Sequence, residues 1–178
     1  MQTSFNLLAS TFRYKEQDAA AELLDVLEGF GDFLAEFETT EISGIFLART
    51  NLDPFRVIDK IKALVHNEAW RIRFILRLIP IEVVVRTGLE EIRSAVSQLS
   101  SKMQNDETFR ITVEKRHNPV QTCELITAIA TGLDNKVQLE GPDWIVLVEV
   151  AGPLTGISII RRDQIFSSII EKRNCTIV

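Results

Sequence analysis

Few residues in this 178-residue chain belong to the types that build membrane spans, disulfide scaffolds or common catalytic centres. No apolar run reaches the roughly 20 residues a membrane helix needs. The longest candidate, Phe74 to Val85, is interrupted by Arg77, Pro80 and Glu82. Met1-Gln2-Thr3-Ser4-Phe5 lacks the basic start and apolar block of a secretory signal. There are two cysteines, Cys123 and Cys175, far apart and forming no C-x-x-C. Two such thiols fit a reducing compartment, so a cytoplasmic location is expected. The two histidines, His66 and His117, have no Cys or His partners at metal-ligand spacing. No G-x-G-x-x-G, P-loop or G-x-S-x-G is present. The chain is therefore expected to need no cofactor and no metal, and to act without catalysis of its own. Cys175-Thr176-Ile177-Val178 has the outline of a prenylation signal, but valine is not a usual last residue for it, and the expected state is a reduced tail.

What is present is an ordinary globular composition, 46% hydrophobic and 25% charged, with enough apolar material for real cores. The net charge is −5, which at first opposes a nucleic-acid partner. The acidity is concentrated, however. Residues 16–41 hold nine Asp and Glu and no Lys or Arg. Taking those nine from the 25 acidic residues leaves 16 against 20 basic ones, so the remainder has an excess of positive charge.

Periodicity places elements along the chain. Phe5, Leu7 and Ala9 alternate as a strand, and Leu23, Leu24, Leu27 and Phe30 follow helical spacing up to Gly29 and Gly31. Residues 32–38 and 42–48 read as two strands around a turn. Asp53-Pro54 then caps a helix with Ile58, Ile61 and Val65 inward. A long strand from Trp70 is expected, with Trp70, Ile72, Phe74, Leu76 and Leu78 on one side and Arg71, Arg73 and Arg77 on the other. The order β-α-β-β-α-β is the split βαβ pattern of a ferredoxin-like unit. The three arginines form either a solvated sheet face or part of a binding face.

From Ile81 the pattern restarts. Thr87-Gly88-Leu89-Glu90 reads as a capping box before a helix with Leu89, Ile92, Val96, Leu99 and Met103 inward. Residues 108–115 read as a strand. Asn118-Pro119 opens a second helix, with Gln121 completing its cap. Residues 144–150 and 155–160 read as an antiparallel pair joined at Ala151-Gly152-Pro153-Leu154. Lys115-Arg116-His117-Asn118 then lies between a strand and a helix amino terminus, where unpaired N–H groups and the helix dipole favour a phosphate. The plainer reading is a polar loop with Asn118 as the cap. Arg161-Arg162, after the last strand, is a second basic pair.

In order, Arg77-Leu78-Ile79-Pro80, Val113-Glu114-Lys115-Arg116-His117-Asn118, Asn135-Lys136-Val137-Gln138-Leu139, Val146-Leu147-Val148-Glu149-Val150 and Gly156-Ile157-Ser158-Ile159-Ile160 resemble the THUMP domain of small tRNA-acetylation adaptor proteins. The resemblance implies two α/β domains, ferredoxin-like over 1–80 and THUMP over 81–173, with a tail at 174–178. It also implies a partner set of tRNA and a separate tRNA cytidine acetyltransferase, with no membrane. By position Arg116 and Asn118 match that family's basic-Asn segment, and His117 stands where relatives carry another Asn. The length leaves no room for the catalytic domain that other THUMP proteins carry. The alternative is a metabolite-binding or enzymatic ferredoxin-like protein, since that fold hosts many functions.

Overall fold

The computed structural model describes residues 4–116 and 121–175. The first sheet begins with β1 (Leu7–Thr11) and continues through α1 (Glu16–Gly29), β2 (Glu36–Thr39), β3 (Ile45–Arg49), α2 (Pro54–Asn67) and β4 (Ile75–Pro80). β1 lies between β3 and β4 and is antiparallel to both, and β2 flanks β3. This is the split βαβ arrangement that periodicity predicts. Leu23, Val26 and Leu27 of α1 and Ile58, Ile61 and Val65 of α2 meet Leu7, Ala9, Phe46 and Leu78 in one core. Each such side chain contributes about 1.5–3 kcal/mol on burial. The Asp53 carboxylate accepts the Arg56 N–H at 3.0 Å, so the expected cap of α2 is made.

The strand expected from Trp70 is corrected. Residues 69–71 form a single 3₁₀ turn with Trp70 68% exposed, and β4 begins at Ile75. The cause is Glu22 on α1, whose carboxylate accepts the N–H groups of Arg73, Phe74 and Ile75 at 2.7–3.2 Å. Donors committed to a carboxylate cannot join a strand ladder. A register shift then opposes Thr11 to Ile75 but Ser10 to Arg77, leaving Leu76 as the extra residue of a bulge. The bulge reverses the alternation, so Ile75 and Leu78 both enter the core and the single basic face is lost.

The second sheet comprises β5 (Val83–Arg86), β6 (Thr108–Arg116), β7 (Lys136–Val137), β8 (Trp144–Ala151) and β9 (Leu154–Ile160), in the order β5-β9-β8-β6-β7. β6 is parallel to β7 and β8, whereas β8 and β9 form the expected antiparallel hairpin, turning at Gly152 with φ +66°. Helices α3 (Leu89–Leu99) and α4 (Thr122–Ala130) supply Ile92, Val96, Leu125 and Ile129 to a core with Phe109, Val146, Val148 and Ile157. Leu89, expected inward, is instead 38% exposed.

The predicted cap of α3 is corrected. The Thr87 hydroxyl donates to Gly152 O at 3.0 Å and lies 2.9 Å from Thr155 Oγ1, and Gly88 occupies the cap position of α3. The cap position of α4 is Gln121, with no side-chain bond, and Asn118, expected to open that helix, lies outside the described residues.

The chain divides into two compact units, one running through Pro80 and resuming at Asp163, the other spanning Ile81–Arg162. The expectation that the second domain continues to 173 is therefore corrected. β10 (Phe166–Ser167) pairs with Leu78 and Arg77 on the outer edge of β4, and Phe166 is fully buried in the first core. α5 (Ser168–Cys175) is tied down by bonds from Ser168 Oγ to Leu76 O and from Lys172 Nζ to Ile72 O. An open strand edge takes a partner, and the returning chain supplies it.

Candidate nucleic-acid interface

The strongest basic segment predicted from sequence straddles the end of β6. Lys115 is exposed there, while Arg116 turns inward. In the parallel register Glu114 opposes Glu149 of β8 and Arg116 opposes Ala151. That places the Arg116 guanidinium beside the fully buried Glu149 carboxylate, to which Nη1 donates at 2.8 Å. His117 and Asn118 lie outside the described residues. The helix that follows this segment, α4, begins at Thr122. The Arg116 guanidinium thus has a charged partner within the sheet.

Arg161 is likewise engaged. Its Nη2 donates to Glu107 Oε1 at 2.7 Å and its guanidinium stacks 4.1 Å above the Trp144 ring. Trp144 Nε1 donates to Glu107 Oε2 at 2.7 Å, closing a three-residue brace. Lys102 approaches the same ring at 5.9 Å and bonds Glu82 Oε1 at 2.6 Å. Arg162 stands exposed at the start of a 3₁₀ turn. On the first unit, Arg71 Nη2 reaches Asp25 at 3.2 Å, the side chain of Arg73 is exposed, and Arg77 is half-buried on β4. The structure describes seven of the nine sequence candidates. It pairs Arg71, Arg116 and Arg161 with carboxylates, and Lys115, Arg161, Arg162 and Arg73 are exposed.

Glu107, which sequence reasoning did not single out, has the clearest electrostatic signature. Bonds from the Gln104 N–H, Trp144 Nε1 and Arg161 lower its pKa from 4.5 to about 2. A depressed folded-state pKa gives stability that is present above the unfolded value and is lost as pH falls through the folded one. The brace should therefore weaken between pH 4.5 and about 2. Trp144 fluorescence in a Trp70→Phe background should report an acid transition that Glu107→Gln flattens; identical acid curves would remove the brace from the account.

Among the described residues no helix is long and apolar enough to cross a membrane, and no group of three or more His, Cys, Asp or Glu could hold a metal.

The THUMP domain profile matches residues 86–160, which run from the end of β5 through the whole of β9. These residues form a THUMP domain. The α+β chain is thus a ferredoxin-like sheet domain followed by a THUMP domain. It is 22% identical over 169 residues to THUMP domain-containing protein 1 of Mus musculus, covering 85% of this chain and 48% of the relative. It spans about half the length of that protein. A crystal structure of a Pyrococcus horikoshii Ot3 protein superposes with a TM-score of 0.65 at 15% identity, covering 89% of this chain and 55% of the other. A 4-thiouridine synthetase solved with RNA and ATP superposes with a TM-score of 0.56 at 17% identity, over 89% of this chain and 42% of the other. Likenesses at such identities establish the fold. Within the THUMP domain, a lone acid in the apolar run Val146–Val150 was the sequence signal that could have exposed the Arg116–Glu149 pair. Charge in the middle of a buried strand requires a partner.

Proposed function

We propose that the chain binds tRNA and, without chemistry of its own, presents it to a separate cytidine acetyltransferase that forms N(4)-acetylcytidine. The carrying observation is the THUMP domain at 86–160 set behind a ferredoxin-like sheet. The fold over 89% of the chain is similar to that of a 4-thiouridine synthetase crystallised with RNA, and the adaptor role follows the family resemblance of the ordered segments. Binding is by shape and phosphate contact, through exposed Lys115, Arg162 and Arg73 together with the 117–118 segment. Arg116 ties β6, which carries Lys115, to Glu149 of β8, and Arg161 braces Glu107 and Trp144. The metabolite-binding alternative draws no support from one cavity among the described residues. The acidic cavity lined by Leu24, Glu28, Asp32, Phe33 and Ala35 holds about 220 Å³, below the roughly 300–1,000 Å³ of small-molecule sites.

Bulk tRNA should bind the purified chain and lose more than about tenfold in affinity between roughly 50 and 200 mM salt, because each phosphate contact releases counterions. Added to an acetyltransferase with acetyl-CoA and tRNA, the chain should raise acetylcytidine yield, and alone it should form none. A flat salt series, or acetylation by the chain alone, would sink the proposal.

A further inference from the structure

The loop that leaves β1 reads Phe12-Arg13-Tyr14-Lys15, aromatic and basic residues in alternation, and all four are exposed. Phe12 is 54% and Tyr14 88% accessible. A single exposed aromatic is common on protein surfaces, but this loop has two further properties. Tyr14 sits at φ +64°, a left-handed conformation in which, among the described residues, every other case is glycine. Such backbone costs on the order of 1 kcal/mol or more for a bulky residue and persists only where its surroundings enforce it.

Those surroundings are visible. The Thr11 N–H donates to Gly44 O at 2.9 Å and the Lys15 N–H to Phe12 O at 3.1 Å. Glu16 Oε1 accepts from the Tyr14 N–H at 3.3 Å, from Ser43 Oγ at 3.2 Å and from the Gly44 N–H. Bonds from Gly44 first, with Ser43 and Tyr14 adding to them, lower the Glu16 pKa despite some desolvation. The loop is thus fastened from below while its rings face outward. Around it, Lys15 Nζ bonds Asp18 at 2.8 Å and lies 5.7 Å from the Phe74 ring, and Thr11 Oγ1 donates to Phe74 O at 2.8 Å. That contact brings the start of β4, and with it the exposed Arg73, to the same end of the sheet.

We propose that Phe12-Arg13-Tyr14-Lys15 is a stacking platform for an unpaired base of the bound RNA, with Arg13 and Arg73 on the flanking phosphates. The proposal rests on the tRNA reading above. Exposed rings on a loop whose backbone is already ordered stack on the π-face of any base with less ordering cost, and nearby cations follow the nucleic-acid backbone. No pocket is needed, which accords with an open loop.

The test uses the whole chain and three probes: an unstructured hexauridylate, a blunt RNA duplex and bulk tRNA. In Tyr14→Trp, the emission added to that of the parent should be quenched saturably by the hexamer and by tRNA, and much less by the duplex. The double variant Phe12→Ala, Tyr14→Gly should lose about fivefold to hundredfold in hexamer affinity, the range that one to three kcal/mol of stacking implies. Tyr14→Phe should keep parental affinity. Glycine adopts φ +64° freely, so Tyr14→Gly should melt at or above the parent, which separates lost stacking from lost fold. Parental hexamer affinity in the double variant, with tRNA still bound, overturns the platform and leaves the tRNA reading standing. Equal losses on duplex and hexamer, or Tyr14→Trp emission that no RNA quenches, overturn it as well. A parent that binds no tRNA at any salt brings down both.

Discussion

Arg116→Ala is expected to lower the stability of the THUMP domain by on the order of 3 kcal/mol, and to weaken tRNA binding chiefly by that route. Glu149 is fully buried on β8 and accepts the Arg116 guanidinium at 2.8 Å. Alanine withdraws a charge-assisted bond and leaves the carboxylate in a low-dielectric sheet without that counter-charge. In a unit of this size each kcal/mol shifts the melting temperature by about 4–8 °C, so a drop of more than about 10 °C follows. Arg116→Ala with Glu149→Gln should recover part of the loss, because a neutral amide is cheaper to bury than a carboxylate. A thermal melt of the three variants, paired with tRNA binding well below the transition, checks this. If Arg116→Ala melts with the parent yet binds tRNA tenfold more weakly, the guanidinium is an RNA contact and the internal-brace account is wrong. Arg162→Ala, at an exposed position, should change the melt by less than about 0.5 kcal/mol.

The second large effect is expected in the first unit. Asp32 is 5% exposed between α1 and β2, and accepts bonds from Thr50 Oγ1, from the Asn51 N–H at 2.8 Å and from the Leu34 N–H at 3.2 Å. Asp32→Ala leaves those donors unanswered and should cost about 2–4 kcal/mol. Burial pushes the Asp32 carboxyl up, but the bonds from Thr50, Asn51 and Leu34 together outweigh it, and the net shift is downward. The sign follows directly: the contribution is complete above the ordinary value of 3.8 and fades as pH drops below it. Denaturant melts at pH 7 and pH 3 should show the gap between parent and Asp32→Asn narrowing at the lower pH. A gap that stays constant or widens would mean that the carboxylate charge does not stabilise this turn.

Asp32 also illustrates how charge reads from sequence. Within the acidic 16–41 segment it counts as one of nine equivalent negative charges. In the fold those acids differ: Asp32 holds a loop, Glu22 holds the backbone entering β4, and Glu16 holds the Tyr14 loop. The segment that argued against RNA is therefore partly internal scaffolding. The basic residues diverge in the same way. Arg116 and Arg162 look alike in sequence, yet one faces a buried carboxylate and the other solvent.

Sequence by itself determined the α+β class, the element order of the first unit and the apolar face of α2. Helical and strand periods are local, and residues such as Ile58, Ile61 and Val65 state their side without reference to distant chain. The Asp53 cap of α2 was legible for the same reason, since donor and acceptor are three residues apart. Only tertiary structure decided where β4 starts, because Glu22 lies 51 residues before the Arg73 N–H it accepts. Only tertiary structure returned Phe166 to the first core, where its strand pairs along the edge of β4. It also decided which arginines remain exposed, as the partner of Arg116 stands 33 residues away, on the neighbouring strand. Hydrogen bonds and ion pairs between distant residues depend on register and on bulges, and a one-residue slip sends a side chain to the other face.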